Sequence, residues 1–114
     1  MDSRFNKVVI KKVVIQEGNH NIWLSVHPLK LDYIRSSSHQ HDYGRIGDWS
    51  DTPQYIKNLM DLMWEQIPGL SYLSFNNGRV VIQHTGAFDD KDIEEVAISL
   101  LQPVLEANLL LQNL

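Results

Sequence analysis

The segment that most constrains the fold is LSYLSFNNGRVVIQH, residues 70–84. Two runs rich in β-branched and aromatic residues flank Asn77-Gly78, a pair that tolerates the positive φ angles of a type I′ turn. A two-residue turn there predicts a β-hairpin with Leu73 opposite Ile82 and Ser71 opposite His84. The core face of this hairpin then carries Leu73, Phe75, Val80 and Ile82. The opposite face carries Tyr72, Ser74, Val81 and Gln83.

Two more strands are predicted near the start of the chain. Residues 6–17, NKVVIKKVVIQE, are dense in β-branched residues and interrupted by lysines, which is typical of a strand. The next run alternates, with one face formed by Ile22, Leu24 and Val26 and the other by Trp23, Ser25 and His27. The polar residues EGNHN between the two runs can turn the chain, so a first hairpin is expected.

Two helices are predicted from apolar residues at helical spacing. Thr52 is expected to cap a helix whose first residue is Pro53 and which Pro68-Gly69 ends. Its apolar stripe is Ile56, Leu59, Met60, Met63 and Ile67. The acidic run DDKD favours the start of a second helix, and Pro103 is expected to kink or divide that helix near Ser99. The stripe of the second helix is Ile93, Val96, Ala97, Leu100 and Val104.

The order of these elements predicts an α+β fold. A ββαββα chain forms a two-layer sandwich, with a four-stranded, mainly antiparallel sheet and both helices on one face. With 114 residues and 43% hydrophobic content, the chain is expected to form a single domain, residues 1–114. Residues 29–51 show little sign of regular structure and are predicted to be a long loop.

Composition excludes several classes of function. The chain contains no cysteine, which rules out disulfides, thiolate metal sites and cysteine nucleophiles of its own. Lys and Arg total 10 against 14 Asp and Glu, and the basic residues are scattered, so nucleic acid is not an expected partner. The opening MDSRFNKVVI carries no signal or lipidation pattern, and no apolar run approaches the roughly 20 residues of a membrane span. The expectation is a soluble cytoplasmic protein that contacts no membrane.

The predicted loop holds two candidate sites. His39 and His41 would point the same way in an extended chain, with Asp42 adjacent, which is the spacing of two metal ligands. The further ligands would have to come from residues such as His20, His27 or Asp48, so a solvated polar loop is preferred and no metal or cofactor is expected. The apolar and cationic residues of the same loop are typical of recognition loops, although they can also fold back over the core. They are Tyr43, Arg45, Ile46 and Trp49.

Catalytic groupings are poorly represented in the sequence. The acidic run at residues 89–92 is better interpreted as charge at a helix start than as paired catalytic acids. Residues 36–39 hold serines beside a histidine, but sequence neighbours seldom form the geometry that acyl transfer requires. His84 is better interpreted as a hydrogen-bonded core histidine than as a proton carrier. QHTGAFDD carries one glycine and forms no phosphate-binding loop. The chain is therefore not expected to be an enzyme.

Three landmarks and the order of elements carry a resemblance to a known family. They are EGNHN followed by IWLSV (residues 17–26), IPGLSYLSF (residues 67–75) and LQP (residues 101–103). The chain resembles the N-terminal domain of NifU-like (Nfu) iron–sulfur scaffold proteins, a small ββαββα module. It departs from that family in its opening turn, in lacking a tryptophan near the last helix, and in the long connection after the second strand.

The resemblance implies an accessory domain that stands without the cysteine-bearing domain of such scaffolds. Its expected function is a non-enzymatic protein-interaction domain that assists iron–sulfur protein maturation by contacting another protein. The alternatives are a small acidic inhibitor or immunity-type protein, and a metal-dependent enzyme or metal carrier that uses the loop histidines. The expected partner surface combines Trp23 and Tyr72 with the loop residues Tyr43, Arg45, Ile46 and Trp49. The leucine-rich end, LEANLLLQNL, raises the prospect of a homo-oligomer.

Overall fold

The computed structural model describes residues 7–13, 20–29, 34–37 and 52–112. The described elements are β1 (Val9–Val13), β2 (Asn21–His27), β3 (Ile34–Ser37), α1 (Gln54–Gln66), β4 (Leu70–Asn76), β5 (Arg79–His84) and α2 (Asp90–Gln112). The strands form one sheet in the order β1-β2-β5-β4-β3, and every neighbouring pair is antiparallel. The α+β class is confirmed, but the described part of the sheet already has five strands where four were predicted.

The additional strand, β3, lies inside the stretch predicted to be a loop. It pairs with β4 so that Ile34 lies opposite Phe75 and Ser36 opposite Leu73. Ile34 and Ser36 are both buried. The indole N–H of Trp64, from α1, donates a hydrogen bond to the Ser36 hydroxyl at 2.6 Å. This short edge strand is therefore held by one backbone ladder and by one side-chain bond to the helical layer.

The β4–β5 hairpin turns at Asn77-Gly78 as predicted and has most of the predicted register, but the turn is not type I′, because Gly78 has a positive φ and Asn77 does not. Gly78 has a φ of 69°, Leu73 lies opposite Ile82, and Phe75 lies opposite Val80. The predicted pairing of Ser71 with His84 is wrong, because a bulge between Leu70 and Tyr72 places Leu70 opposite His84. A bulge adds one residue to one strand and shifts all pairing beyond it.

The core lies between the sheet and the two helices. The inward faces of β2, β4 and β5 contribute fully buried apolar side chains: Ile22, Leu24, Val26, Leu73, Phe75, Val80 and Ile82. The helices contribute these buried side chains to the same core: Ile56, Leu59, Met60, Met63, Ile93, Ala97, Leu101 and Leu105. The α1 stripe is buried as predicted, whereas the buried face of α2 continues from Ala97 through Leu101 and Leu105, and the predicted Val96, Leu100 and Val104 are only half-buried. The helical layer covers one face of the sheet and leaves the other face turned away from it.

Two predicted helix details differ from the structure. Pro53 occupies the N-cap of α1 without a side-chain cap, so Thr52 does not cap this helix. α2 runs as one helix of 23 residues through Pro103, so it is not divided near Ser99, while the alternative of a kink there stays a prediction. Proline removes only one helical hydrogen bond, and the burial of Leu101 and Leu105 on either side holds the helix together.

The first described strand is tied to the last helix. The Val8 N–H donates to the Glu106 carboxylate at 3.0 Å, and the Gln102 side-chain amide donates to the Val8 carbonyl. The Lys12 ammonium nitrogen lies 3.7 Å from a carboxylate oxygen of Glu94, on α2. The strand predicted over residues 6–17 is described only over Val9–Val13, and residues 14–17 fall outside the described ranges.

Neither described helix is both long enough and apolar enough to cross a membrane.

Candidate functional site

The structure brings together two of the six predicted partner-binding residues. Trp23 on β2 and Tyr72 on β4 lie on the same face of the sheet, opposite the helices, and both are half-buried. Tyr43, Arg45, Ile46 and Trp49 lie outside the described residues, as do His39 and His41.

We call the sheet surface turned away from the helices the outer face. Its described side chains come from all five strands. They are Val9, Lys11, Val13, Asn21, Trp23, Ser25, His27, Arg35, Tyr72, Ser74, Asn76, Arg79, Val81 and Gln83. Strand pairing aligns one row straight across the sheet: Val13, Trp23, Val81, Ser74 and Arg35. This row gives the outer face an apolar centre.

The centre of the outer face is built around an aromatic ring and a cation. The guanidinium carbon of Arg79 lies 4.9 Å from the ring centroid of Trp23, within the range of a cation–π contact. Val81 pairs directly with Trp23, and Tyr72 pairs with Gln83 in the next row. Trp23, Val81 and Tyr72 are all half-buried, so each retains some accessible surface. Such amphipathic aromatics beside arginine are enriched at protein interfaces.

A second cluster lies where β5 ends and α2 begins. The His84 side chain is only 1% exposed, and its Nε2 lies 2.5 Å from a carboxylate oxygen of Asp90. The Gly86 N–H donates to the other ring nitrogen, Nδ1, at 3.1 Å. The His20 ring lies 5.2 Å from the His84 ring between centroids, and His20 has a φ of 51°. Ligand atoms of His20, His84 and Asp90 all lie within 4.8 Å of one another.

The hydrogen bonds of His84 argue that the cluster of His20, His84 and Asp90 has a structural role and does not bind a metal. Because Nδ1 accepts a bond from Gly86, a neutral ring carries its proton on Nε2 and donates it to Asp90. A metal ion needs the lone pair of Nε2, which that proton occupies. The pair of His84 and Asp90 instead joins the end of β5 to the start of α2.

Asp90→Ala is expected to lower the free energy of unfolding by about 1 kcal/mol, because it removes the partner of a buried N–H. Asp90→Asn is the matched control, since its amide oxygen can still accept the bond, and it should lose less. Excess zinc should leave the melting temperature of the wild type unchanged. A zinc-induced rise that Asp90→Ala abolishes would instead establish a metal site. Thermal unfolding with and without zinc measures both effects.

A shallow apolar groove lies on the helical side of the molecule. It has a volume of about 350 Å³ and is lined by Tyr55, Pro103, Val104, Ala107, Asn108 and Leu111. Burial raises the pKa of the Tyr55 hydroxyl above its usual value. Leu110 and Leu111 are 40% and 67% exposed at the end of α2. Self-association through this leucine-rich end stays a prediction.

Sequence reasoning missed several residues of both clusters. Arg79 shares the period-2 alternation of Val81 and Gln83, so the hairpin register was a sufficient signal to place it on the outer face. Arg35 had no such signal, because β3 was not predicted. The bond between Asp90 and His84 depends on the loop that joins β5 to α2, and no residue pattern indicated it. Ser36, considered as a nucleophile, is instead bonded to Trp64.

In comparisons with known proteins, no family model, no curated protein and no solved structure matches this chain.

Proposed function

We propose that this chain is a protein-binding domain without catalytic activity and that the outer face is its interface. The observation that carries the proposal is the placement of Trp23, Val81 and Tyr72 on three neighbouring strands, on the face turned away from the helices. Aromatic and arginine side chains at the centre of a surface supply most of the binding energy at protein interfaces. The cation–π contact between Arg79 and Trp23 orients that centre before any partner arrives.

The described residues favour binding over catalysis. His84 is engaged at both ring nitrogens, so it has no free nitrogen with which to activate a nucleophile. Ser36 is buried against Trp64, within the helical layer's side of the sheet. His84 and Ser36 are thus both occupied by structural bonds. A more specific role, in iron–sulfur protein maturation, rests on the resemblance to NifU-like N-terminal domains. It stays a prediction within the class of protein-binding domains.

The double variant Trp23→Ala with Tyr72→Ala is expected to abolish partner capture while lowering the free energy of unfolding by no more than about 1 kcal/mol. Both side chains are half-buried, so their removal leaves the core between sheet and helices intact. Capture is measured with the immobilised protein as bait and quantitative mass spectrometry of the bound proteins. Urea denaturation of each variant gives the stability.

Phe88→Ala is the matched control, because Phe88 is 50% exposed and lies outside the outer face, just before α2. It should retain every partner of the wild type. If the double variant retains the same partners as the wild type, the proposal that the outer face is the interface is wrong. A loss of several kcal/mol with new protease sensitivity would show that other residues of the chain pack over Trp23 and Tyr72, which also contradicts the proposal.

A further inference from the structure

The described Lys, Arg, Asp and Glu side chains of the outer face all carry the same sign. Lys11 on β1, Arg79 on β5 and Arg35 on β3 are exposed, and no described Asp or Glu lies on this face. The whole chain has a net charge of −4, so a cationic face is the opposite of what the composition alone would predict. Lys11 and Arg35 form no ion pair with any described residue.

The described carboxylates are gathered in the other layer. All of them lie in the two helices or directly before α2, and they are Asp61, Glu65, Asp89, Asp90, Asp92, Glu94, Glu95 and Glu106. Some of them bind elements of the sheet: Asp90 binds His84, Glu94 binds Lys12, and Glu106 binds the backbone N–H of Val8. Charge is therefore unevenly distributed over the described part of the molecule: the helical layer is acidic, and the outer face of the sheet is cationic.

Two of the three cations flank the centre of the outer face, and the third, Arg79, lies within that centre. Arg79 lies beside Trp23, while Lys11 and Arg35 lie on the two edge strands. With neighbouring strands about 4.8 Å apart, Lys11 is about 10 Å from Arg79, and the edge strands are about 19 Å apart. A ligand that covers this width would meet positive charge at both ends and, in the middle, Arg79 beside the aromatic and aliphatic side chains of Trp23 and Val81.

We propose that the outer face binds an acidic protein segment, in which Asp or Glu residues flank an apolar anchor. This inference rests on the proposed function and names the chemistry of the partner. Complementary charge accelerates encounter and selects the register, while the anchor over Val81 and Trp23 supplies the apolar contact. A single-stranded nucleic acid fits less well, because the guanidinium of Arg79 already occupies a face of the Trp23 ring on which a base would stack. A long polyanion would also meet the acidic helical layer.

The test begins with a random peptide library selected on the wild-type protein. The selected peptides should be enriched in Asp and Glu on both sides of an apolar residue. A labelled peptide of that set is then titrated by fluorescence anisotropy against Arg35→Gln with Arg79→Gln, which should weaken binding about tenfold. Raising the salt concentration should weaken binding to the wild type and have less effect on this variant.

The matched control is Lys57→Gln with Lys91→Gln on the helices, which changes the net charge by the same amount and should bind the peptide as the wild type does. Arg79→Lys keeps the positive charge but removes the planar contact with Trp23, so it distinguishes the effect of the charge from the effect of that contact.

Three results would each overturn the inference: equal weakening of binding by both double variants, selected peptides without enrichment in Asp and Glu, or tighter binding of a thymidine oligonucleotide than of the peptide. If the Trp23 and Tyr72 double variant loses partner capture but the arginine double variant binds the peptide normally, the outer face is still the interface and only its acidic ligand is refuted.

If the Trp23 and Tyr72 double variant still captures its partners, the outer face is not the interface.

Discussion

Leu73→Ala is expected to lower the free energy of unfolding by about 2–5 kcal/mol, the range for truncating a large buried aliphatic side chain. Leu73 is fully buried on β4, opposite Ile82, and faces the helical layer. The loss combines the transfer energy of the removed atoms with the cavity they leave, because packed neighbours relax only in part. Urea denaturation followed by far-ultraviolet circular dichroism measures it, with an unchanged slope showing that the same surface is exposed on unfolding.

The matched control is Val81→Ala on the paired strand. Val81 lies on the outer face and is half-buried, so its truncation should cost about 1 kcal/mol or less. The comparison tests the register directly, since a slip of one residue exchanges the two faces of a strand. A near-neutral Leu73→Ala beside a costly Val81→Ala would contradict the pairing of β4 with β5.

Trp64→Ala is expected to lower the free energy of unfolding by about 2–3 kcal/mol, less than a fully buried tryptophan because this ring is half-buried. The variant removes the ring from between α1 and β3 together with its hydrogen bond to Ser36. The amides of β3 should then exchange with solvent faster than those of β4 and β5, because an edge strand opens before the centre of a sheet. Hydrogen exchange monitored by mass spectrometry, beside urea denaturation, separates the local effect from the global one.

Trp64→Phe keeps most of the ring and removes the N–H donor, so it should lose only about 1 kcal/mol. Ser36→Ala removes the other partner of the same bond, and its combination with Trp64→Phe should add little to either single change. Fully additive losses would show that the bond between the two side chains contributes nothing. Unchanged exchange at β3 in Trp64→Ala would show that the ladder to β4 holds this strand by itself.

The sequence predicted the β4–β5 hairpin because local chemistry determined it. Asn77-Gly78 selects a two-residue turn, and the alternation on each side then fixes the pairing near the turn. The bulge at Ser71 escaped prediction because it arises at the far end, where the Thr85 N–H bonds to the Gly69 carbonyl at 2.9 Å and Gly69 has a φ of 73°. Register errors therefore grew with distance from the residues that set the turn.

β3 escaped prediction because its four residues, IRSS, contain a single strongly apolar side chain. Its conformation depends on neighbours far along the chain: the ladder to β4 and the indole of Trp64. The candidate site divides in the same way. Period-2 alternation was enough to place Trp23 and Tyr72 on one face, whereas the position of Arg35 required a strand that only tertiary contacts stabilise.

The ties between Val8 and α2 have a consequence for the order in which the molecule can be completed during synthesis. The side chains that bind the Val8 N–H and carbonyl, Glu106 and Gln102, follow it by 98 and 94 positions. A growing chain that has left the ribosome only as far as β5 can form its hairpins, but both backbone groups of Val8 still bond to water. The start of β1 is then an unprotected strand edge, open to pairing with another nascent chain, until α2 emerges and closes it.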